Sequence, residues 1–209
     1  SIELENGVKL NSKYAVIGCN GYIGHLDKRI SSWIMPINNY ILATEPLDEK
    51  LARRLIRDDV AVHDSKFVVN YFRLSSDSRL LFGGGESYRY RFPLSITKKA
   101  HVPMLKVFPY LKDIKVDYAW GGTLAVTQNR LPSFRRVDRN IFSASGYSGH
   151  GVAMATFAGK ILAEAISGQA EKFDIMASLP QLKFPGGHLM RWPLLVLGMS
   201  YYALKDKLP

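Results

Sequence analysis

Residues 141–163 read IFSASGYSGHGVAMATFAGKILA, and their order of types suggests chemistry at a helix start. A strand pattern, NIFSAS, runs into Gly146-Tyr147-Ser148-Gly149-His150-Gly151, and a helical pattern follows over 151–167, closed by Gly168. The first N–H groups of a helix lack internal partners and carry its positive dipole end. An anion is stabilised there. The small residues Gly149, Gly151, Ala153 and Ala155 let a flat ligand come close. Ser148 is placed to cap the helix. The same spacing equally suits a glycine turn that only lets the helix pack on a sheet, and the two readings stay open on spacing alone.

Other candidate chemistry is weaker. YAVIGCNGYIGH resembles a strand entering a nucleotide loop. Its Gly18, Gly21 and Gly24 are spaced G-x-x-G-x-x-G, where a pyrophosphate loop needs G-x-G-x-x-G. Pro36 also arrives before a crossover helix could finish, so this is read as a buried strand ending in a tight turn. Trp120-Gly121-Gly122 reads as a core tryptophan beside a bulge, and FPGG at 184–187 as a turn. His25, His63, His101 and His188 lack metal-ligand spacing. No nucleophile elbow, phosphate loop or pair of catalytic carboxylates is present.

The elements that must position these residues are mixed. Strands are expected at 7–19 (two, with a turn), 39–47, VAVHD, KFVVNYFRLS, SRLLFGGGE, KVDYAWGGTLAVT and NIFSAS, with the Ser-Asp-Ser turn joining a hairpin. Helices are expected at 47–56, at 95–112 with an interruption at Pro103, and at 151–167. The glycines of RLLFGGG mark a place where another chain segment or a ligand approaches. The expected fold class is α+β around a mixed, mostly antiparallel sheet.

With 209 residues, 47% hydrophobic and 22% charged, the chain can bury a substantial core as one large domain or two small ones. A net charge of +10 raises a nucleic-acid or acidic-membrane partner, but the basic residues are scattered pairs without a nucleic-acid motif. The lone Cys19 fits a reducing compartment, SIELENGVKL is not read as a signal peptide, and the run WPLLVLGMSYYAL is too short to span a membrane.

YAVIGCNGY, IMPINNYILATEPL, NYFRLSSDSRLLFGGGE, YAWGGTLAVTQNRLPSF and the opening stretch, in that order, resemble the C-terminal half of the FAD-dependent D-amino-acid-oxidase superfamily. WGGT, NRLP and GYSGHGV together are similar to its γ-glutamylputrescine-oxidase-like branch, as is the tail from Phe173 onward. The resemblance implies FAD as cofactor and an N-terminal Rossmann half that this sequence lacks, making the missing FAD-binding half a partner. It divides the chain into 1–30 (end of the FAD-binding domain), 31–115 (substrate domain), 116–169 (strands and helix returning to the flavin) and 170–209 (C-terminal segment). It implies that Gly146, Tyr147, Ser148, Gly149, His150, Gly151 and Val152 face the pyrimidine edge of the flavin. Gly18, Cys19 and Gly21 would line the pyrophosphate or ribitol, and Trp120 and Gly122 would stand near the ring.

For the substrate, amino-acid-oxidising relatives carry an arginine two residues beyond W-x-G, where this chain has Leu124. The resemblance therefore favours an amine without an α-carboxylate, held by Trp120 and, through a distant carboxylate, by Arg73. The implied reaction is amine to imine by hydride transfer to FAD, reoxidised by oxygen to give hydrogen peroxide, in polyamine catabolism. No catalytic base is assigned. Arg135 stands where the family usually has a small residue. The 209-residue chain alone is expected to be inactive, the location cytoplasmic, and neither a membrane span nor a specific nucleic acid is expected. The alternatives are a glycine- or sarcosine-oxidase-like enzyme and a non-catalytic basic binding module.

Overall fold

The computed structural model describes residues 1–66, 69–87 and 91–205. In chain order the elements are β1 (Ile2–Glu3), β2 (Lys9–Leu10), β3 (Ala15–Ile17), α1 (Lys28–Ser31), β4 (Met35–Pro46), α2 (Glu49–Leu55), β5 (Val62–His63), β6 (Tyr71–Leu74), β7 (Arg79–Ser87), α3 (Ile96–Val107), β8 (Val116–Val126), β9 (Ser133–Asp138), β10 (Ile141–Ser145), α4 (Gly151–Ile166), α5 (Glu171–Ser178) and α6 (Gly187–Lys205). They fall into two units: residues 1–36 with 124–191, and residues 37–123 with 192–209. The mixed α+β class is as expected, with mainly antiparallel pairings.

The first unit holds a three-stranded sheet in the order β3-β10-β9, β3 parallel and β9 antiparallel to β10. Alternation along the strands sorts its two faces. Phe134, Phe142 and Ala144 turn toward α4 and α5, where they pack with Ala158, Ile161, Leu162, Ala165 and Phe173. Ile17 and Val137 turn the other way, toward Ile23, Ile30, Ile34 and Ala125. Strand β10 and helix α4 lie where the sequence placed them. The helix end is a Schellman cap around Gly168 at φ +96°: Gln169 donates to the Glu164 carbonyl at 2.9 Å and Gly168 to that of Ala165 at 3.2 Å.

One expectation needs correcting in this unit, and further elements went unforeseen. Strand β3 is not a buried run: its one partner among the described residues is β10, and Val16 is 47% exposed. Strand β9 went unforeseen because SFRRVD spends its alternate positions on polar groups, Ser133 and Arg135, with Arg136 on the helix side. The C-terminal segment is two helices, α5 and the start of α6, separated by the expected FPGG turn, in which Gly187 N–H donates to the Phe184 carbonyl at 2.9 Å.

The second unit is built on a five-stranded sheet, β5-β6-β7-β4-β8, whose β5–β6, β6–β7 and β7–β4 pairings are antiparallel. The expected hairpin joins β6 and β7 through Ser75–Ser78, with Ser78 at φ +62°. Tyr40, Leu42, Leu74, Leu80 and Phe82 meet Ala100, Met104, Phe108 and Leu111 in its core. Helix α2 is capped by Asp48, which accepts from the Leu51 N–H at 2.9 Å. Arg79 ties three strands by donating to the Thr44 carbonyl at 2.8 Å and the Asp117 carboxylate at 2.6 Å.

Pro103 does not interrupt α3, which runs through it to Val107. A proline offers no N–H to the carbonyl four residues earlier, here that of Lys99. That carbonyl lies against Gly85, at φ +74°, where a Cβ would stand 2.5 Å from it. A Cβ on Gly84 would come within 2.6 Å of Asn70 Oδ1, and one on Gly83 would overlap the Tyr71 ring. The Gly83–Gly85 cluster is therefore approached by the chain itself. Among the described residues, no helix is long and apolar enough to cross a membrane.

Candidate functional site

The site is assembled where β10 delivers the chain to α4. Gly146 has φ +73°, and a Cβ there would lie 2.6 Å from Thr127 Cγ2 and 3.2 Å from Ile34 Cγ2, so only glycine turns this corner. Its N–H donates to Asn20 Oδ1 at 3.1 Å, which binds the turn to the segment following β3. Ser148, at φ +52°, is not the cap that its position suggested. Its N–H donates to the Ala125 carbonyl at 3.0 Å, and its hydroxyl accepts from the Thr127 N–H at 3.2 Å and donates to the Gly146 carbonyl at 3.2 Å. Those bonds hold the side chain on the strand side of the turn.

The helix is therefore left without a side-chain cap. His150 is the N-cap residue; its N–H donates to the Tyr147 carbonyl at 2.9 Å, and its carbonyl accepts from Met154 at 3.0 Å. The N–H groups of Gly151, Val152 and Ala153 have no acceptor within the helix. Among the described residues, little approaches the two glycines of this mouth. A Cβ on Gly149, at φ +101°, would meet nothing within 4 Å, and one on Gly151 only Tyr147 at 3.7 Å. Ser145, the last residue of β10, is buried, and its Oγ has no partner among the described residues.

From this mouth a groove of about 470 Å³ runs along α4, lined by Val16, Gly18 and Tyr147 and by Gly151, Ala155 and Gly159 of the helix. The last three recur every fourth residue, so one face of the helix is nearly bare backbone. Tyr147 donates its hydroxyl to the Ala144 carbonyl at 3.1 Å, and burial pushes its pKa above the usual tyrosine value. It stays neutral at physiological pH.

Of the residues singled out in the sequence, Gly18, Tyr147 and Gly151 line this one groove, with Gly149, His150 and Val152 exposed beside it and Gly146 and Ser148 forming the turn behind. Cys19 and Gly21 belong to the short helical turn after β3, Cys19 packed against the cluster of Ile23, Ile30, Ile34 and Ala125 and Gly21 buried. Trp120 and Gly122 lie on β8 and Arg73 on β6 of the second unit. Trp120 is 46% exposed, and Arg73 Nε donates to the Leu74 carbonyl at 3.1 Å. Sequence reasoning missed Asn20, whose side chain fixes the glycine turn, and Gly159, whose signal was that it continues the four-residue steps from Gly151 through Ala155. It also missed the pair in which Tyr71 donates its hydroxyl to Asn39 Oδ1 at 2.6 Å beside Gly83. Among the described residues no group of His, Cys, Asp and Glu could hold a metal ion.

A parallel strand pair that ends in a glycine turn and feeds an uncapped helix belongs to a recognisable class of fold. The chain belongs to the FAD dependent oxidoreductase (DAO) family, which it matches over residues 2–165. It is 40% identical over 201 residues to the γ-glutamylputrescine oxidoreductase of Escherichia coli, covering 96% of this chain and 47% of that protein. It is 39% identical over 206 residues to a probable oxidoreductase, OrdL, of Rhizobium meliloti, covering 99% and 47%. The chain thus spans about half the length of the curated relatives it matches. Among solved structures, the fold is similar to fructosyl peptide oxidase from E. terrenum (TM-score 0.65, 13% identity, 92% of this chain and 49% of that one). It is also similar to glycine oxidase from Geobacillus kaustophilus (TM-score 0.55, 18% identity, 73% and 40%).

Proposed function

We propose that this chain forms the flavin-edge and substrate-binding portion of an amine oxidoreductase acting on a γ-glutamylputrescine-like amine. The observation that carries the reading is the open, uncapped mouth of α4 beside Gly149 and Gly151. Its donor set and bare surface fit the pyrimidine edge of a flavin. When bound, FAD supplies hydride acceptance from the amine carbon and passes the electrons to oxygen, so that an imine and hydrogen peroxide result.

The chain's own residues hold and polarise. The N–H groups of Gly151, Val152 and Ala153 and the helix dipole stabilise negative charge at the site they face, and they need no reorganisation to do so. His150 adds a hydrogen bond, Gly146 and Ser148 set the turn, and Gly18, Cys19 and Gly21 approach the ribitol and pyrophosphate. Trp120 and Gly122 flank the ring and substrate, and Arg73 receives a distant carboxylate. Leu124 leaves no guanidinium fork for an α-carboxylate, which favours a plain amine over glycine or sarcosine. In this reading residues 1–30 and 116–169 serve the flavin and 31–115 the substrate.

The partner is a nucleotide-binding half of the kind the family carries, covering the Gly151-Ala155-Gly159 face and the open edge of β3. The experiment is to measure visible flavin absorbance, and peroxide release with γ-glutamylputrescine, glycine and sarcosine, on the protein bearing both halves. Flavin colour with turnover of the first amine supports the proposal. A colourless protein whose binding is only to nucleic acid or anionic lipid overturns it in favour of a basic module. Turnover of glycine or sarcosine alone overturns the substrate assignment.

A further inference from the structure

At the opposite end of the same sheet face, where β3 and β10 begin, lies a second and larger concavity of about 600 Å³. It is roughly 16 Å from the glycine turn, the length of a five-residue strand. We propose that this cleft binds a small phosphate-bearing ligand of the nucleoside diphosphate class. Its lining gathers Lys13, Arg136 and Arg139 with Tyr14, Asn140 and Phe142. The volume suits one such molecule, and three cations suit a group carrying two or three negative charges.

The Lys13 backbone and the Arg136 side chain are held in place. Asn140 accepts the Ala15 N–H at 3.0 Å through its carbonyl and donates from Nδ2 to the Lys13 carbonyl at 2.8 Å, fixing the Lys13 backbone beside the β9–β10 turn. The Arg136 guanidinium lies 4.8 Å from the Phe142 ring centroid and 5.9 Å from that of Phe173, so the rings orient it. Tyr14 is 44% exposed, its ring centroid 6.3 Å from that of Phe142, and it offers a face for a planar base.

The acidic groups nearby do not cancel this charge. Asp174 reaches Arg136 only at 3.7 Å, in a pair exposed on both sides. Asp138 accepts the Arg139 backbone N–H at 2.7 Å and lies within electrostatic reach of Arg29. Glu164, near the end of α4, is paired with Lys172 at 2.9 Å. The last carbonyls of that helix are engaged by Ser167, Gly168 and Gln169. Among the described residues, no carboxylate pairs with the side chain of Lys13 or Arg139. The cations converge on one concave patch and form no stripe, which favours a small ligand over a nucleic-acid backbone.

The test is calorimetric titration of the protein at low salt with ADP, pyrophosphate, adenosine and a short single-stranded oligonucleotide. One saturable site for ADP and for pyrophosphate, and none for adenosine, is expected. The exposed double change Lys13→Glu/Arg139→Glu should weaken ADP binding at least about tenfold while leaving the ligand-free melting temperature unchanged. Tyr14→Ala should weaken ADP more than pyrophosphate. Absent ADP binding, ADP binding unchanged by the double variant, equal effects of Tyr14→Ala on both ligands, or an oligonucleotide bound more tightly than ADP would each overturn the proposal.

Discussion

The guanidinium carbon of Arg135 lies 3.3 Å from the centroid of the Trp33 ring, on the sheet face away from α4. Its Nε donates to Ser133 Oγ at 3.1 Å, and no carboxylate among the described residues pairs with it. Lys183 Nζ lies 5.2 Å from the same ring, so one tryptophan serves two cations. Burial pushes the Arg135 pKa down to about 10. A folded-state value below the unfolded one means that the charged group opposes folding at every pH below about 10. That opposition fades as pH rises further, toward the ordinary arginine value.

Two substitutions separate the stack from the charge. Arg135→Gly removes the ring contact and should lower the melting temperature by about 2–4 °C. Arg135→Met keeps the apolar contact without the desolvation cost and should leave the melting temperature unchanged or higher. Differential scanning calorimetry reads both. A fall with methionine as large as that with glycine would show that the cation itself holds Trp33.

The glycine turn makes a contrast between neighbours. Gly146→Ala meets both a left-handed backbone and Thr127 Cγ2, and should cost about 2 kcal/mol or more in chemical denaturation. Gly149→Ala meets only the backbone strain and should cost about 1 kcal/mol. Flavin retention by the protein bearing both halves should nevertheless fall in the second variant, because its methyl group enters the open mouth. Full flavin occupancy in Gly149→Ala would count against the proposed edge.

On α4, Gly159 is exposed, and a Cβ there would meet nothing within 4 Å. Gly159→Leu should stabilise this chain by roughly 0.5–1 kcal/mol through helix propensity. In the protein bearing both halves it should also block docking of the proposed nucleotide-binding half, read as lost flavin absorbance. Stable assembly with leucine in place would show that the bare helix face is not the contact.

The carboxylate of Asp117 is held below its ordinary pKa by hydrogen bonds from Arg79 and then Lys115. A depressed carboxylate contributes stability that is complete above the unfolded value of 3.8 and lost as pH falls through the folded one. Asp117→Asn should therefore lower the melting temperature at pH 7 and flatten its decline as pH falls below the ordinary carboxylate value. Parallel acid limbs in the two proteins would place the acid sensitivity elsewhere.

Much of the fold was legible because apolar spacing and local turn chemistry agreed. Phe142 and Ala144 alternate, Gly168 ends a helix, and Ser-Asp-Ser joins two strands. What escaped depended on partners distant in sequence. Strand β9 hides its register because Arg136 covers aromatic rings from α5 and β10. Val16 reads as core but borders an open groove. At the site, the glycines were visible as a loop of unusual freedom, yet Ser148 was misread as a cap. Its hydroxyl is claimed by Thr127, a partner that only the return of β8 brings alongside.

Pro103 and Gly85 act together across α3 and β7. The proline withholds a hydrogen, leaving the Lys99 oxygen without its usual claimant inside the coil, and the glycine withholds a methyl from the spot this oxygen occupies. Two subtractions, made far apart in the chain, thus set how closely a helix and a strand lie. Restoring either missing group alone would disturb their alignment.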